Sequence, residues 1–283
     1  MVGLLALVGL VAGIVVGANH DSGGGGASAS TASTPASGPK LSPGGLGSPP
    51  ALTKLAGSHG PVPVLTYHVI ATPPASAQLP ELFVDPNTFN AQMEWLRAQG
   101  YQGVSLNQVY NAWFQGAQLP EKPVVISFDD GYRGQYVYAR PELRKLGWPG
   151  VLSAISGKIG QPDAELSDSM VRTMINDGWE LDSHTVHHLD LTMLNPSQLQ
   201  TEIDGSRTDL QQRFHQPVNF FCYPVGRYDS QAIRAVKDAG YLGATTEDEG
   251  LADKSEIYTL KRIRVNHSDG VAGLQRKLRD AGA

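Results

Sequence analysis

A single cysteine, Cys222, excludes an intrachain disulfide and every zinc site built on Cys-x-x-Cys pairs. It stands in the apolar run Asn219-Phe220-Phe221-Cys222-Tyr223, where a thiol is expected to pack as a small buried residue. Charge is also scarce, at 17% of residues, and it sums to −5. A chain without a basic field lacks the electrostatic footprint that nucleic acid requires. Internal repeats are missing, as is the basic clamp that phosphoester chemistry would use.

Long apolar runs are missing with one exception. Val2 to Ala18 consists only of apolar residues and glycine, slightly short of the roughly 20 residues of a bilayer span. No Lys or Arg precedes it, so loop charge gives no orientation. Residues 1–20 read as a transmembrane signal anchor or a signal peptide, with Ala18 fitting a small-residue cleavage site. Either reading implies export to the cell surface or beyond, with membrane contact through this segment if it is uncleaved. Residues 21–60 are mostly Gly, Ser, Ala, Thr and Pro with almost no apolar periodicity. Burial cannot offset the ordering entropy of such a stretch, so a disordered tether is expected. Residues 61–283 remain as one α/β domain, long enough to bury a full core.

Within that domain, strand and helix patterns alternate. Strands are expected at 63–68, 124–128, 151–155, 180–183, 218–223, 241–245 and 258–265. Helices are expected at 87–99, before Gly147, at 168–176, 196–214 and 230–239, and from Gly270 onward. Parallel βα units in this number suggest a closed or nearly closed barrel, with an open doubly wound sheet as the competing architecture. The acidic run Glu247-Asp248-Glu249 reads as a solvated loop. Trp113 and Phe114 read as packing residues, with stacking on a sugar ring as the alternative.

In both architectures functional groups collect where strands end. Asp129 and Asp130 end the β-branched run 124–128, and Gly131 permits a sharp turn. Adjacent carboxylates repel unless a cation or proton intervenes; the plain alternative is a turn with one capping Asp. His184 and His188 follow another strand, and imidazoles at i and i+4 share one face of a helical turn and can reach one ion. His187 between them would point elsewhere, as a supporting or surface residue. One carboxylate and two imidazoles form the donor set of a catalytic zinc-like site with room for water. Zinc is favoured for such a set; cobalt, nickel and manganese also fit, and no organic cofactor is implied.

Ser127-Phe128-Asp129-Asp130-Gly131 together with His184-Thr185-Val186-His187-His188 resembles the first two motifs of the polysaccharide deacetylases, the NodB-homology or carbohydrate esterase family 4 proteins. The resemblance runs from about Pro61 to the C-terminus. It implies a distorted (β/α)7-type barrel and metal-dependent removal of acetyl groups from an N-acetylated polysaccharide. By that analogy Asp129 is the general base, and Asp130, His184 and His188 hold one divalent metal ion. Leu65-Thr66-Tyr67-His68 resembles the start of the poly-N-acetylglucosamine deacetylase branch, which implies His68, in preference to His267, as general acid.

Two departures stand against this pattern. Many relatives carry Arg-x-Pro-Tyr at the third motif, where this chain has Cys222-Tyr223-Pro224-Val225. The arginine that orients the catalytic carboxylate is missing, and a thiol cannot replace its fork of donors. Arg227 and Arg264 are the candidates to stand in for it. The Val225 amide still fits as an oxyanion donor, a role that needs no particular side chain. The late Leu-x-His motif is also not evident, with Arg262-Ile263-Arg264-Val265 near its place. These departures keep two rivals open: a catalytically silent carbohydrate-binding homologue, and an O-acetyl esterase acting on a xylan-like polymer.

Overall fold

The chain passes in order through β1 (Val64–Tyr67), β2 (Val69–Ile70), β3 (Phe83–Val84), α1 (Pro86–Ala98), β4 (Gln102–Gly103), α2 (Leu106–Phe114) and β5 (Pro123–Asp130). A π-helical turn, Gln135–Ala139, then leads into α3 (Arg140–Leu146), followed by β6 (Val151–Ala154), α4 (Asp168–Asn176) and β7 (Glu180–Ser183). A second π-helical turn, Thr201–Gly205, joins α5 (Pro196–Gln200) to α6 (Ser206–Phe214). Last come β8 (Phe220–Cys222), α7 (Ser230–Asp238), β9 (Gly243–Glu249), β10 (Leu260–Arg264) and α8 (Gly270–Ala281). This computed structural model describes residues 60–161 and 165–283. The expected signal segment, 1–20, and all but the last residue of the 21–60 tether lie outside the described residues.

Parallel pairing runs β1-β10-β9-β8-β7-β6-β5, and β1 pairs again with β5, Val64 opposite Val125 and Tyr67 opposite Phe128. The ring therefore closes on seven strands, and the open doubly wound alternative is ruled out. β4 adds only to the start of β5, Gln102 opposite Pro123. Among the described residues no helix is long and apolar enough to cross a membrane.

Because side chains alternate along a strand, each barrel strand feeds two cores. Leu65, Ile126, Leu152, Leu181, Phe221 and Ile263 pack outward in the cluster shared with the surrounding helices. Val64, Val125, Val151, Phe220 and Leu260 belong instead to a second cluster with the apolar face of α2, including Leu106 and Val109. α2 thus stoppers the N-terminal end of the barrel. It lies in a stretch with no expected helix, although its capping box, Ser105 with Gln108, is local chemistry. Trp113 is buried in this stopper and donates to the Gly60 carbonyl, which gives it a packing role; Phe114 is half-exposed beside Tyr110.

From the stopper upward the lining also carries polar groups, beginning with Glu180, which accepts from the Asn107 amide of α2 at 2.9 Å. Glu180 and Asp182 are both buried on β7, and burial and then mutual repulsion raise the Asp182 carboxyl well above its ordinary range. Two neighbouring buried carboxyls cannot both ionise cheaply. Further along the same strands lie Ser127, Asp129, His184, Cys222 and Arg262, all buried. That is the C-terminal end of the barrel.

Candidate functional site

Asp129 and Asp130 are the last two residues of β5 and diverge there. Asp129 points into the barrel with its side chain 1% exposed. Asp130 takes a left-handed backbone (φ 73°), followed by Gly131 at φ 85°, and turns toward the rim. An Asp tolerates that region and a glycine occupies it freely. The alternation of strand geometry thus sends two adjacent carboxylates to different tasks.

Asp130 meets the two expected imidazoles. Its Oδ1 lies 3.5 Å from His184 Nε2 and 3.5 Å from His188 Nε2. Donors about 2.0–2.2 Å from a tetrahedral zinc stand about 3.3–3.5 Å apart, so the spacing fits an ion held by all three. The imidazoles are also prepared for it. His184 Nδ1 lies 2.8 Å from the Cys222 carbonyl oxygen, which can only accept, so Nδ1 carries the proton and Nε2 keeps its lone pair. Burial, then the proximity of His184, lowers the His188 pKa to about 4, leaving that ring neutral at neutral pH. The Tyr132 hydroxyl bonds to Asp130; burial, then that carboxylate, pushes its pKa up.

The expected helical turn between the histidines is not there. His184 to His188 is an irregular loop with Thr185 at φ 68° and His188 at φ 60°. The rings meet at 69° with centroids 4.7 Å apart because the backbone reverses. The Thr185 hydroxyl accepts from the His188 N–H at 2.8 Å and fixes that reversal. His187 points away from Asp130, its side chain 62% exposed and paired with Glu202.

Neither Arg227 nor Arg264 replaces the missing arginine. Arg227 bonds Asp190 at 2.7 Å on the rim, and Arg264 bonds Glu247 at 3.0 Å. The partner of Asp129 is Arg262, from β10, with its side chain 2% exposed. Its Nη1 donates to Asp129 Oδ1 at 2.9 Å and its Nη2 to Oδ2 at 2.7 Å, a bidentate fork. Every remaining N–H is also used: Nε donates to the Thr246 carbonyl, Nη1 to Ser127 Oγ and Nη2 to Cys222 Sγ. Cys222 occupies the third-motif position as a small buried neighbour of this pair, and burial pushes its thiol up. Burial pulls the Asp129 carboxyl upward as well, but the charge and hydrogen bonds of Arg262 outweigh it and hold Asp129 well below the usual carboxylate range.

His68 follows β1 and is buried. Its Nε2 stands 3.9 Å from Asp129 Oδ2 and 3.6 Å from Glu247 Oε1. Glu247 is therefore part of the site and not a solvated loop residue. Its approach to His68, and next Arg264, lowers its pKa against burial. The signal was available: period-two alternation along β9 puts Glu247 on the same face as Thr245. His267 is exposed, with its backbone N–H bonded to the Glu81 carbonyl. Gln135, buried on the first π-helical turn, donates through Nε2 to the His68 carbonyl at 2.9 Å and the Asp129 carbonyl at 2.6 Å, tying β1 and β5 together.

Val225 lies in the short 3-10 turn Pro224–Gly226 with φ 49°, a costly conformation for a β-branched residue. Its side chain is half-exposed. Gly226 next to it packs so closely on Glu247 that a Cβ there would fall 2.6 Å from the Glu247 Cβ. That close approach brings the turn beside the residue that faces His68.

A family model described as polysaccharide deacetylase matches residues 116–244. The chain is 34% identical over 213 residues to YxkH of Bacillus subtilis, whose name assigns it provisionally to the polysaccharide deacetylases; the match covers 75% of this chain and 73% of that protein. It is 26% identical over 224 residues to the poly-β-1,6-N-acetyl-D-glucosamine N-deacetylase of Escherichia coli, covering 64% of this chain and 33% of that longer protein. Among solved structures, the Streptococcus pyogenes deacetylase PplD in complex with acetate aligns with a TM-score of 0.71 at 27% identity, over 77% of this chain and 97% of that one.

Proposed function

Because the chain belongs to the polysaccharide deacetylase family, we propose that it hydrolyses the acetamide of N-acetylated sugar units in an extracellular or cell-surface polymer, a poly-N-acetylglucosamine by preference. The observation that carries this reading is the convergence at one barrel end of Asp130, His184 and His188 with the Arg262-held Asp129 and His68. Similarity to the Escherichia coli enzyme and the Tyr67-His68 segment support the choice of polymer. The apolar run Val2 to Ala18 supports the location.

In this reading Asp130, His184 and His188 hold one divalent ion, for which zinc is the favoured candidate. When bound, the ion supplies Lewis acidity to the acyl carbonyl and to water. Asp129, kept deprotonated by Arg262, accepts the proton of the attacking water. Its low pKa keeps it unprotonated and available as the acceptor at neutral pH, although as a weak base. The Val225 amide is assigned as the donor to the oxygen on which negative charge develops, a role that needs no particular side chain. His68 in its protonated form, with Glu247 beside it, delivers a proton to the departing amine. That step forms the N–H bond as the C–N bond breaks and leaves acetate and a free amino sugar.

Arg262 weakens one of the two motives for a silent homologue, since Asp129 is gripped although the third motif lacks its arginine. The test is acetate release, with added Zn2+ or Co2+, from poly-β-1,6-N-acetylglucosamine, chitin oligomers, peptidoglycan and O-acetylated xylan. Asp129→Asn is expected to abolish release from the N-acetylated polymer while retaining one bound ion per chain. Release from xylan alone would overturn the N-acetyl reading, and full activity of Asp129→Asn would overturn the mechanism.

A further inference from the structure

The segment carrying the two imidazoles is neither helix nor strand, so no ladder holds its shape. Several of its backbone groups nevertheless find partners outside it. The Thr185 and Val186 carbonyls accept from the amides of Ser156 and Gly157. The Val186 and His187 amides donate at 3.1 and 2.8 Å to a single oxygen, Glu202 Oε2. The other oxygen, Oε1, lies 2.7 Å from His187 Nδ1. Glu202 is 3% exposed and comes from the π-helical turn Thr201–Gly205, outside the loop it binds. A buried carboxylate is costly unless satisfied, and this one is satisfied entirely by the residues between His184 and His188.

We propose that Glu202 is a positioning residue for the metal centre: by gathering three donors of the intervening loop, it sets the spacing of His184 and His188 and hence the affinity of the site for a divalent ion. The inference rests on the assignment of Asp130, His184 and His188 as ligands. A carboxylate presents acceptors on both oxygens, whereas a glutamine keeps its oxygen on the two loop amides only by losing the charge and meeting the His187 ring through its amide NH2, which obliges that ring to take the other tautomer. Groups that orient a ligand from behind change metal affinity by about 10–100-fold when altered.

The experiment measures Co2+ and Zn2+ dissociation constants by chelator competition on purified full-length protein, with thermal unfolding recorded alongside. Glu202→Ala is expected to weaken both ions by roughly 10-fold or more, Glu202→Gln by less, and both to alter the visible spectrum of bound Co2+. The metal concentration for half-maximal acetate release should rise in parallel, while kcat at saturating metal stays within about threefold of the parent. His187→Ala, which leaves both backbone bonds to Glu202, should weaken binding much less. A purely structural role would lower the unfolding temperature of the Glu202 variants and leave their dissociation constants and Co2+ spectra unchanged. That result, in an experiment where His184→Ala abolishes binding, would overturn this inference alone. A parent chain that binds no ion, or a His184→Ala variant that binds as the parent does, would overturn the ligand assignment and this inference with it.

Discussion

Replacing Arg262 by methionine keeps most of the buried volume and removes the charge. The parent pair is a fork of 2.9 and 2.7 Å contacts between side chains 2% and 1% exposed. At about 4 Å between charge centres and an effective dielectric near 20, its Coulomb attraction is about 4 kcal/mol. Removing one partner of a buried pair costs about 3–5 kcal/mol, because the other charge is left without compensation. A domain of this size has about 5–15 kcal/mol in hand, so the variant should fold but with little reserve.

The pH dependence makes the test sharper. In the parent, Asp129 has a depressed pKa, so its contribution is complete above the unfolded value of about 3.9 and is lost as pH falls toward the folded value. In Arg262→Met, burial alone raises the Asp129 pKa and the folded state binds the extra proton. The penalty is then small near pH 4 and grows as pH rises, at up to about 1.4 kcal/mol per unit. Urea unfolding followed by circular dichroism between pH 4 and 8, with metal chelated, should show the deficit widening toward pH 8. The double variant with Asp129→Asn should recover about 1–2 kcal/mol at pH 8. A deficit below about 1 kcal/mol, or one that does not change across this range, would refute the account.

Substituting His68 by alanine should lower kcat by about 10²–10⁴-fold with little change in metal content, read from acetate release and metal analysis; a normal rate would remove His68 from the mechanism. Val225→Gly should raise unfolding stability by about 1 kcal/mol, since the left-handed backbone is relieved of its β-branched side chain. Its acetate release should stay within a few-fold of the parent because the amide remains. A large kcat loss would mean that the side chain, not the amide, does the work.

The carboxylates and histidines of the site were readable in the chain because each pair is local and follows a strand that announces itself. Their backbone was not: the His184–His188 spacing suggests a helical turn, whereas tertiary bonds to Glu202, Ser156 and Gly157 fold it as a loop. Arg262 was harder still, because it lies 133 residues from the carboxylate it grips and among neighbours, Lys261 and Arg264, that make it look like surface. Alternation from Leu260 would have placed it on the inward face, where an arginine needs a buried acid. Its strand and His68 both fall outside the 116–244 stretch matched by the family model. The closed ring followed from counting βα units, but the α2 stopper did not, since no helix is expected over 106–114 although Ser105 and Gln108 form its capping box.

Both π-helical turns carry a buried polar residue, Gln135 or Glu202, that braces a loop or strand end of the site. A π turn holds one residue more than the α-helical turn it interrupts. Deleting that residue would leave a continuous helix, yet it would rotate everything on one side by about 100° about the axis. The bracing side chain would then face away while composition and core stayed almost the same. In this barrel the geometry of the candidate site is therefore encoded partly in chain length, so a one-residue deletion outside every motif would misalign the site without unfolding the chain.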